Sequence, residues 1–409
     1  MRGKTLLFSS LFFSRLPGLV RTRIAIGCSF FIQGLIFATW CSRIPDIRTR
    51  LGLGEAELGT LLLMLPIGQL LAMGPNGWFV ARLGSRRMLV LAGFLYPALL
   101  VCLALAPTTY VLGAGLFLAG AAANLSNTAA NTQAVQLEHY YRRSIIALFH
   151  GMWSLAGLVA VLLELLMAHC HAPVIVHFGV VFLMAWGLLS FSGGALMGFD
   201  RGRQQARGGK WTFTPLLLWL GIISLGCMAC EGTIYDWSGV FLRDVVAVAE
   251  RWQSLGYLGY LCTMVTGRFV ADRVVNRLGT LRVLLGSGCC ISGGLALAVG
   301  LAGCAPAVAL SATVLGFALV GCGTSAVVPL CCSLAGRTKG IAPSIAIAEI
   351  STIGFFGFLA APPLIGYVAH LSNLRASFAV MAAVGLLVIF GTLAIRRKAA
   401  VSSPQPQVP

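Results

Sequence analysis

Four carboxylates stand inside long hydrophobic runs of this 409-residue sequence: Glu164, Glu231, Asp236 and Glu349. On insertion scales an ionisable group at the centre of a bilayer costs about 2.5–3.5 kcal/mol, so each needs a partner, a watery cavity or a proton. The chemistry open to them is reversible protonation and hydrogen bonding of a solute. Glu231 stands out because Ser224, Cys227 and Tyr235 share its helical stripe at three- and four-residue spacing. It reads either as a cavity-lining proton or substrate group or as a structural hydrogen-bonding one. Asp236 is five positions on, roughly 140° round a helix, which favours an outer-end contact or cap beside Trp237. Glu349, among Ala346, Ala348 and Thr352, is either a coupling group or the partner of a basic loop residue. Glu164, on the stripe His150, Ser154, Gly157 and Val161, is expected to reach water from the interface.

Uncharged polar residues add to this set. Asn124, Asn127, Asn131 and Glu138 follow one helical face, and such a stripe turned to lipid would leave amides unsatisfied. It therefore faces protein or a cavity, as substrate ligands or as interhelical glue. Gln33, Phe37 and Trp40 fall at i, i+4 and i+7 and suit a polar anchor with an aromatic wall, with an interfacial tryptophan as the alternative for Trp40. Gln69 offers a further donor. Glu138 and His150 bracket a short loop with Arg142 and Arg143, consistent with a cytoplasmic cluster or gate.

Two metal patterns are weak. Cys227 and Cys230 have thiol-site spacing but stand in an apolar run with no second pair near, and His169, Cys170, His171 and His177 crowd an expected outer loop with no carboxylate to complete a site. No metal or other cofactor is expected. Neither a phosphate-binding loop nor a nucleophile elbow occurs, so the sequence does not read as an ATPase or an enzyme.

The elements that must position these residues follow from composition. The chain is 58% hydrophobic and only 10% charged, too apolar for a soluble globule. Its formal charge of +17 is spread between apolar runs rather than gathered on one face, which argues against a nucleic-acid partner. Twelve stretches of about 20 residues can each cross a bilayer. They run near 24–42, 57–79, 88–106, 109–133, 147–168, 173–198, 214–241, 253–272, 282–303, 306–333, 342–369 and 375–395. Residues Met1 to Phe13 begin basic and apolar but are followed by arginines instead of a cleavage site, and read as part of a cytoplasmic tail. With that tail inside, 23 of the 29 lysines and arginines fall on the cytoplasmic side, which sets both termini there.

The polar stretch Asp200 to Lys210 divides the spans six and six. The expected organisation is a tail over 1–23, a six-helix bundle over 24–199, a central loop over 200–213, a second bundle over 214–395 and a tail over 396–409. The halves repeat: Ala81-Arg82-Leu83-Gly84-Ser85-Arg86-Arg87 aligns with Asn276-Arg277-Leu278-Gly279-Thr280-Leu281-Arg282 at an offset of 195. Repeats of this kind suggest two bundles with a path along their interface.

Gly77, Arg82, Gly84, Arg86 and Arg87 resemble the G-x-x-x-D-R-x-G-x-R-R loop signature of the major facilitator superfamily, with Ala81 at the aspartate position. In the second copy Asn276 stands there and nearby Asp272 is the substitute, beside Arg273 and Arg277. Further stretches resemble the YbjJ-type branch, similar to the fucose-permease group. They are Phe37 to Pro45, His150 to Gly157, Glu231 to Gly239, Gly267 to Arg273 and Gly354 to Gly366. Where that branch often has an aspartate in the fourth span, this chain has Asn127. The resemblance covers residues 24–395 and implies an all-α fold of twelve transmembrane helices in two six-helix bundles. It implies a bacterial inner-membrane secondary transporter for a small solute, for which alternating access between the two halves is the expected mechanism and proton coupling the hypothesis that Glu231 and Glu349 raise. The polar amides and Trp40 make a sugar or other small polar metabolite the expected cargo, with efflux of amphipathic drugs or metabolites and a non-transporting sensor as alternatives. The loop residues Gly77, Arg82, Gly84, Arg86, Arg87, Asp272, Arg273 and Arg277, with Glu138 and His150, are the expected gating set. Gln33, Trp40, Asn124, Asn127, Asn131, Glu231, Asp236 and Glu349 are the expected binding or coupling set.

Overall fold

A computed structural model describes residues 18–141, 145–198, 214–338, 341 and 343–401. Among them there is no strand. The chain forms α1 (Gly18–Ser42), α2 (Ile44–Leu51), α3 (Glu55–Leu62), α4 (Met64–Leu83), α5 (Ser85–Leu105), α6 (Thr109–Tyr141), α7 (Ile146–His169) and α8 (Val174–Ser192). Then follow α9 (Pro215–Asp244), α10 (Leu255–Leu278), α11 (Thr280–Leu301), α12 (Pro306–Gly336), α13 (Pro343–Leu371) and α14 (Leu374–Val401). Every expected span has its helix, with α3 and α4 together making the second. Among the described residues, eleven spans are long and apolar enough to cross a membrane. The remaining one, α10, has the length but carries Arg268, Asp272, Arg273 and Arg277 in its second half.

The ends of the helices follow local chemistry. Thr214 caps α9, its Oγ1 accepting from the Leu217 amide at 3.3 Å, and Pro215 takes the first helical position, where no amide hydrogen is needed. The helix α1 is already formed at Gly18, so Arg21 and Arg23 belong to it and not to an extended tail; no glycine or proline interrupts Leu19 to Ile26. The expected outer basic residue Arg43 is also displaced from its loop: it is 1% exposed.

The repeat is visible in the backbone. Gly84 separates α4 from α5 with φ of 92°, and Gly279 separates α10 from α11 with φ of 81°. Both pair that positive φ with an extended ψ, at 141° and 151°. This region is essentially closed to residues bearing a Cβ.

The described residues divide into two compact units. One gathers residues up to Leu51 and those from Met64 to the undescribed segment before 214; the other gathers Gly52–Leu63 and the residues from 214 on. In the first unit a core of Ile26, Phe30, Leu89, Leu125, Leu137 and Phe149 ties α1, α5, α6 and α7 together. The fully buried Gln133 of α6 spans two neighbours, donating to Ser85 Oγ at 2.7 Å and to the Met197 carbonyl at 3.0 Å. Its own Oε1 accepts from the Met197 amide at 2.9 Å. In the second unit α3 lies on α13, where Gly59 meets Gly366 and the hydroxyls of Thr60 and Tyr367 are 3.1 Å apart.

Small residues set the helix spacing. In lipid no hydrophobic force separates helix from solvent, so association relies on close packing. A Cβ at Gly68 would collide with the Phe117 carbonyl and one at Gly120 with the Leu65 carbonyl, which locks α4 onto α6 from both sides. Gly357 meets the Leu225 carbonyl in the same way and brings α13 onto α9.

Candidate functional site

The second unit brings Glu231 together with a group of tyrosines. Tyr235, one turn further along α9, donates its hydroxyl to Glu231 Oε1 at 2.6 Å, and the Tyr235 hydroxyl oxygen lies 3.8 Å from Met264 Sδ. Its ring meets Tyr257 and Tyr260 of α10 edge-on, with centroids 5.8 and 5.6 Å away. From α12, Thr324 donates to the Tyr260 hydroxyl at 3.3 Å. All three tyrosines are buried, whereas Glu231 is half-buried. Arg268 acts electrostatically on Tyr235, Tyr260 and Cys227, and so does Glu231. The cluster thus joins one acid and three phenols from α9 and α10, with Thr324 behind them and the charge of Arg268 acting on it from α10. A carboxylate gripped by a neutral phenol keeps a charge-assisted bond, and a proton arriving on it removes the charge that makes the bond strong.

The approach of α10 that this cluster requires depends on small residues. A Cβ on Gly321 would strike the Tyr260 carbonyl, and one on Gly267 would strike the Ser325 hydroxyl. Thr263 of α10 closes the contact by donating to the Ala318 carbonyl of α12 at 2.6 Å.

The other expected binding residues scatter. Asp236 is buried at 8% exposure, well inside α9 rather than at its outer end, since the helix runs on to Asp244. Glu349 is fully buried in α13. Glu164, expected to reach water, is only 4% exposed, because α7 continues to His169 and leaves it more than a turn inside. Trp40 lines neither an open wall nor an interfacial belt: it is buried among Ile36, Leu65, Tyr96 and Leu100 around a residual space of about 10 Å³. Gln33 is buried and donates to the Ser29 carbonyl of its own helix at 3.1 Å. Phe37 packs on Trp153.

The asparagine stripe divides. Asn124 accepts from Asn76 of α4 at 3.0 Å and so acts between helices. Asn131 donates to the carbonyl and side chain of Asn127 at 2.9 and 2.8 Å, on a face where Asn127 is exposed. Glu138 accepts from the Ile145 amide at 3.0 Å and fixes the start of α7; Arg142 and Arg143 lie outside the described residues. His150 meets Phe30 edge-on at 5.3 Å.

In the signature loop, Arg82 stacks over Trp78 at 5.1 Å and Arg86 donates to the Gly194 carbonyl at 3.2 Å. Arg273 and Arg277 are exposed, and the side chain of Asp272 lies outside the described residues. Gly77 has open space where its Cβ would be.

The thiols of Cys227 and Cys230 go separate ways, to the Thr324 carbonyl at 4.0 Å and the Met381 carbonyl at 3.4 Å, so the pair shares no ligand site. His177 does not sit with His169 and His171 in a loop. It is fully buried in the first turn of α8 and accepts from Arg43 Nε at 3.1 Å. Arg43 also pairs with Asp46 at 2.8 Å and reaches the Ala172 carbonyl at 3.4 Å. The sequence pattern gave no sign of this cluster, because its members are 134 positions apart.

Comparison with known proteins places the architecture. The family model of the Major Facilitator Superfamily matches residues 24–345. An uncharacterized MFS-type transporter of Yersinia pestis is 34% identical over 388 residues, covering 93% of this chain and 97% of that protein. Among solved structures, the nucleoside transporter NupG superposes with a TM-score of 0.74 at 14% identity, over 93% of this chain and all of that one. The E. coli fucose:proton symporter FucP gives 0.59 at 15% identity, over 91% and 98%. The chain belongs to the Major Facilitator Superfamily: it is a multi-pass membrane transporter with the all-helical fold of that family, and not an enzyme.

Proposed function

We propose that the protein is a proton-coupled secondary transporter of a small polar solute in a bacterial inner membrane, working by alternating access, with Glu231 as the coupling group. The observation that carries this reading is the half-buried Glu231 carboxylate held at 2.6 Å by Tyr235 deep in an apolar helix. A carboxylate retained at such a cost has a use for its charge. Tyr235 stabilises the charged carboxylate through its hydrogen bond, and Glu231, half-buried where the tyrosines are buried, is the group of this cluster that a polar solute such as a sugar or nucleoside can reach. The structural neighbours named as a nucleoside transporter and a fucose:proton symporter carry solutes of that kind.

The test uses purified full-length protein in proteoliposomes, with a panel of radiolabelled hexoses and nucleosides as cargo. An inward proton gradient accelerates uptake by the wild type. Glu231→Gln abolishes that acceleration while solute counterflow persists, because an amide can hydrogen-bond cargo but cannot carry the proton. An undiminished response to the gradient in Glu231→Gln would overturn the assignment.

A further inference from the structure

A well-formed concavity on the first unit lies away from the Glu231 cluster. It is a groove of about 860 Å³ between the start of α5 and the end of α8. One end carries Arg86 and Arg87; Val90, Leu91 and Phe94 continue along α5, and Leu189 forms the opposite wall on α8. Polar and apolar character are therefore separated along its length. Arg87 is exposed, and Leu91 and Phe94 are 50% and 37% exposed. None of the described residues lining the groove is acidic. Arg86 spends one Nη on the Gly194 carbonyl, which fixes its guanidinium at the groove's end and leaves other donors of the fork available.

A free phosphate would use the arginines and leave the apolar length uncovered. A sterol or alkane would do the reverse. The ligand that uses both is amphipathic, with an anionic head at the level where spans end and a hydrocarbon tail running into the membrane. Basic pockets between transmembrane helices take lipid headgroups in this way. We propose that the groove is a binding site for an anionic phospholipid, whose phosphate sits between Arg86 and Arg87 and whose acyl chain lies along Val90, Leu91 and Phe94.

The test measures lipid bound to the full-length protein by native mass spectrometry. Detergent-solubilised protein is titrated with phosphatidylglycerol and, separately, with phosphatidylethanolamine of the same acyl chains. Each arginine at a membrane surface favours an anionic lipid about fivefold, so the wild type retains phosphatidylglycerol up to about 30-fold better. The double variant Arg86→Gln/Arg87→Gln falls to the phosphatidylethanolamine level. Ser190→Asp, at an exposed groove position, keeps both arginines and lowers retention by repelling the headgroup; it decides the matter if the double variant does not fold. Equal retention of the two lipids, or preference for phosphatidylglycerol that survives in every folded variant, overturns the proposal. So does thermal stabilisation by inorganic phosphate equal to that by phosphatidylglycerol, which would assign the arginines to a free anion.

Discussion

The hydroxyl of Tyr235 has one proton to give and directs it to Glu231. Hydrogen bonds to charged acceptors contribute about 1.5–3 kcal/mol, so Tyr235→Phe lowers proton-driven uptake by about 10- to 100-fold if that bond sets the working geometry. Uptake by Tyr235→Phe equal to that of the wild type would reduce the tyrosine to packing. The Arg43 cluster makes a different demand, since loss of one member strands a buried partner. Arg43→Gln is expected to cost about 3 kcal/mol, the low end of the range for a broken buried pair because Asp46 keeps partial access to solvent. Thermal unfolding of the full chain in detergent reads this as a clear fall in midpoint. The sequence singled out Glu231 because a carboxylate in an apolar run is rare and its own helix supplied Tyr235. It could not show that Tyr257 and Tyr260 meet Tyr235, since helical periodicity says which residues share a stripe and not which stripe meets a neighbour. The same blindness misplaced Trp40 and Glu164, whose side chains are both buried in packed protein.

At the scale of elements, apolar length was the strong signal, and each of the twelve expected stretches forms a helix. Charge counting adds loops but cannot reveal the interruption at Leu63, where α3 hands over to α4 without any polar or glycine marker. The offset of 195 between the halves was legible as a motif, and the structure gives it a backbone meaning at Gly84 and Gly279. Alanine at either glycine is forced into a region that costs about 1–3 kcal/mol. Gly77 belongs to the same signature yet has free space around its missing side chain. Apparent melting temperatures should therefore drop for Gly84→Ala and Gly279→Ala and stay near wild type for Gly77→Ala. A similar drop at all three would mean that the turns are not what the two repeated glycines serve.

For the whole molecule, the distribution of arginine and lysine predicts a direction across the membrane. Cys170 closes α7 as an exposed residue at a turn that the count places outside. In a variant keeping only this cysteine, a membrane-impermeant maleimide is expected to label intact cells. Labelling that requires permeabilised membranes would reverse the orientation, and with it the side on which the signature arginines meet lipid.

The position of Arg43 also bears on how the chain is made. Asp46 emerges from the ribosome almost together with it, but His177 lies 134 residues downstream. At roughly 5–20 residues per second, translation takes about 7–27 seconds to supply that partner. During this interval the end of α1 holds a guanidinium that is half matched, and the helix has reason to stay at the bilayer edge where water can serve the charge. Docking of α1 is thus tied to the arrival of α8, so the first of the described helices to be synthesised is among the last to take its final seat.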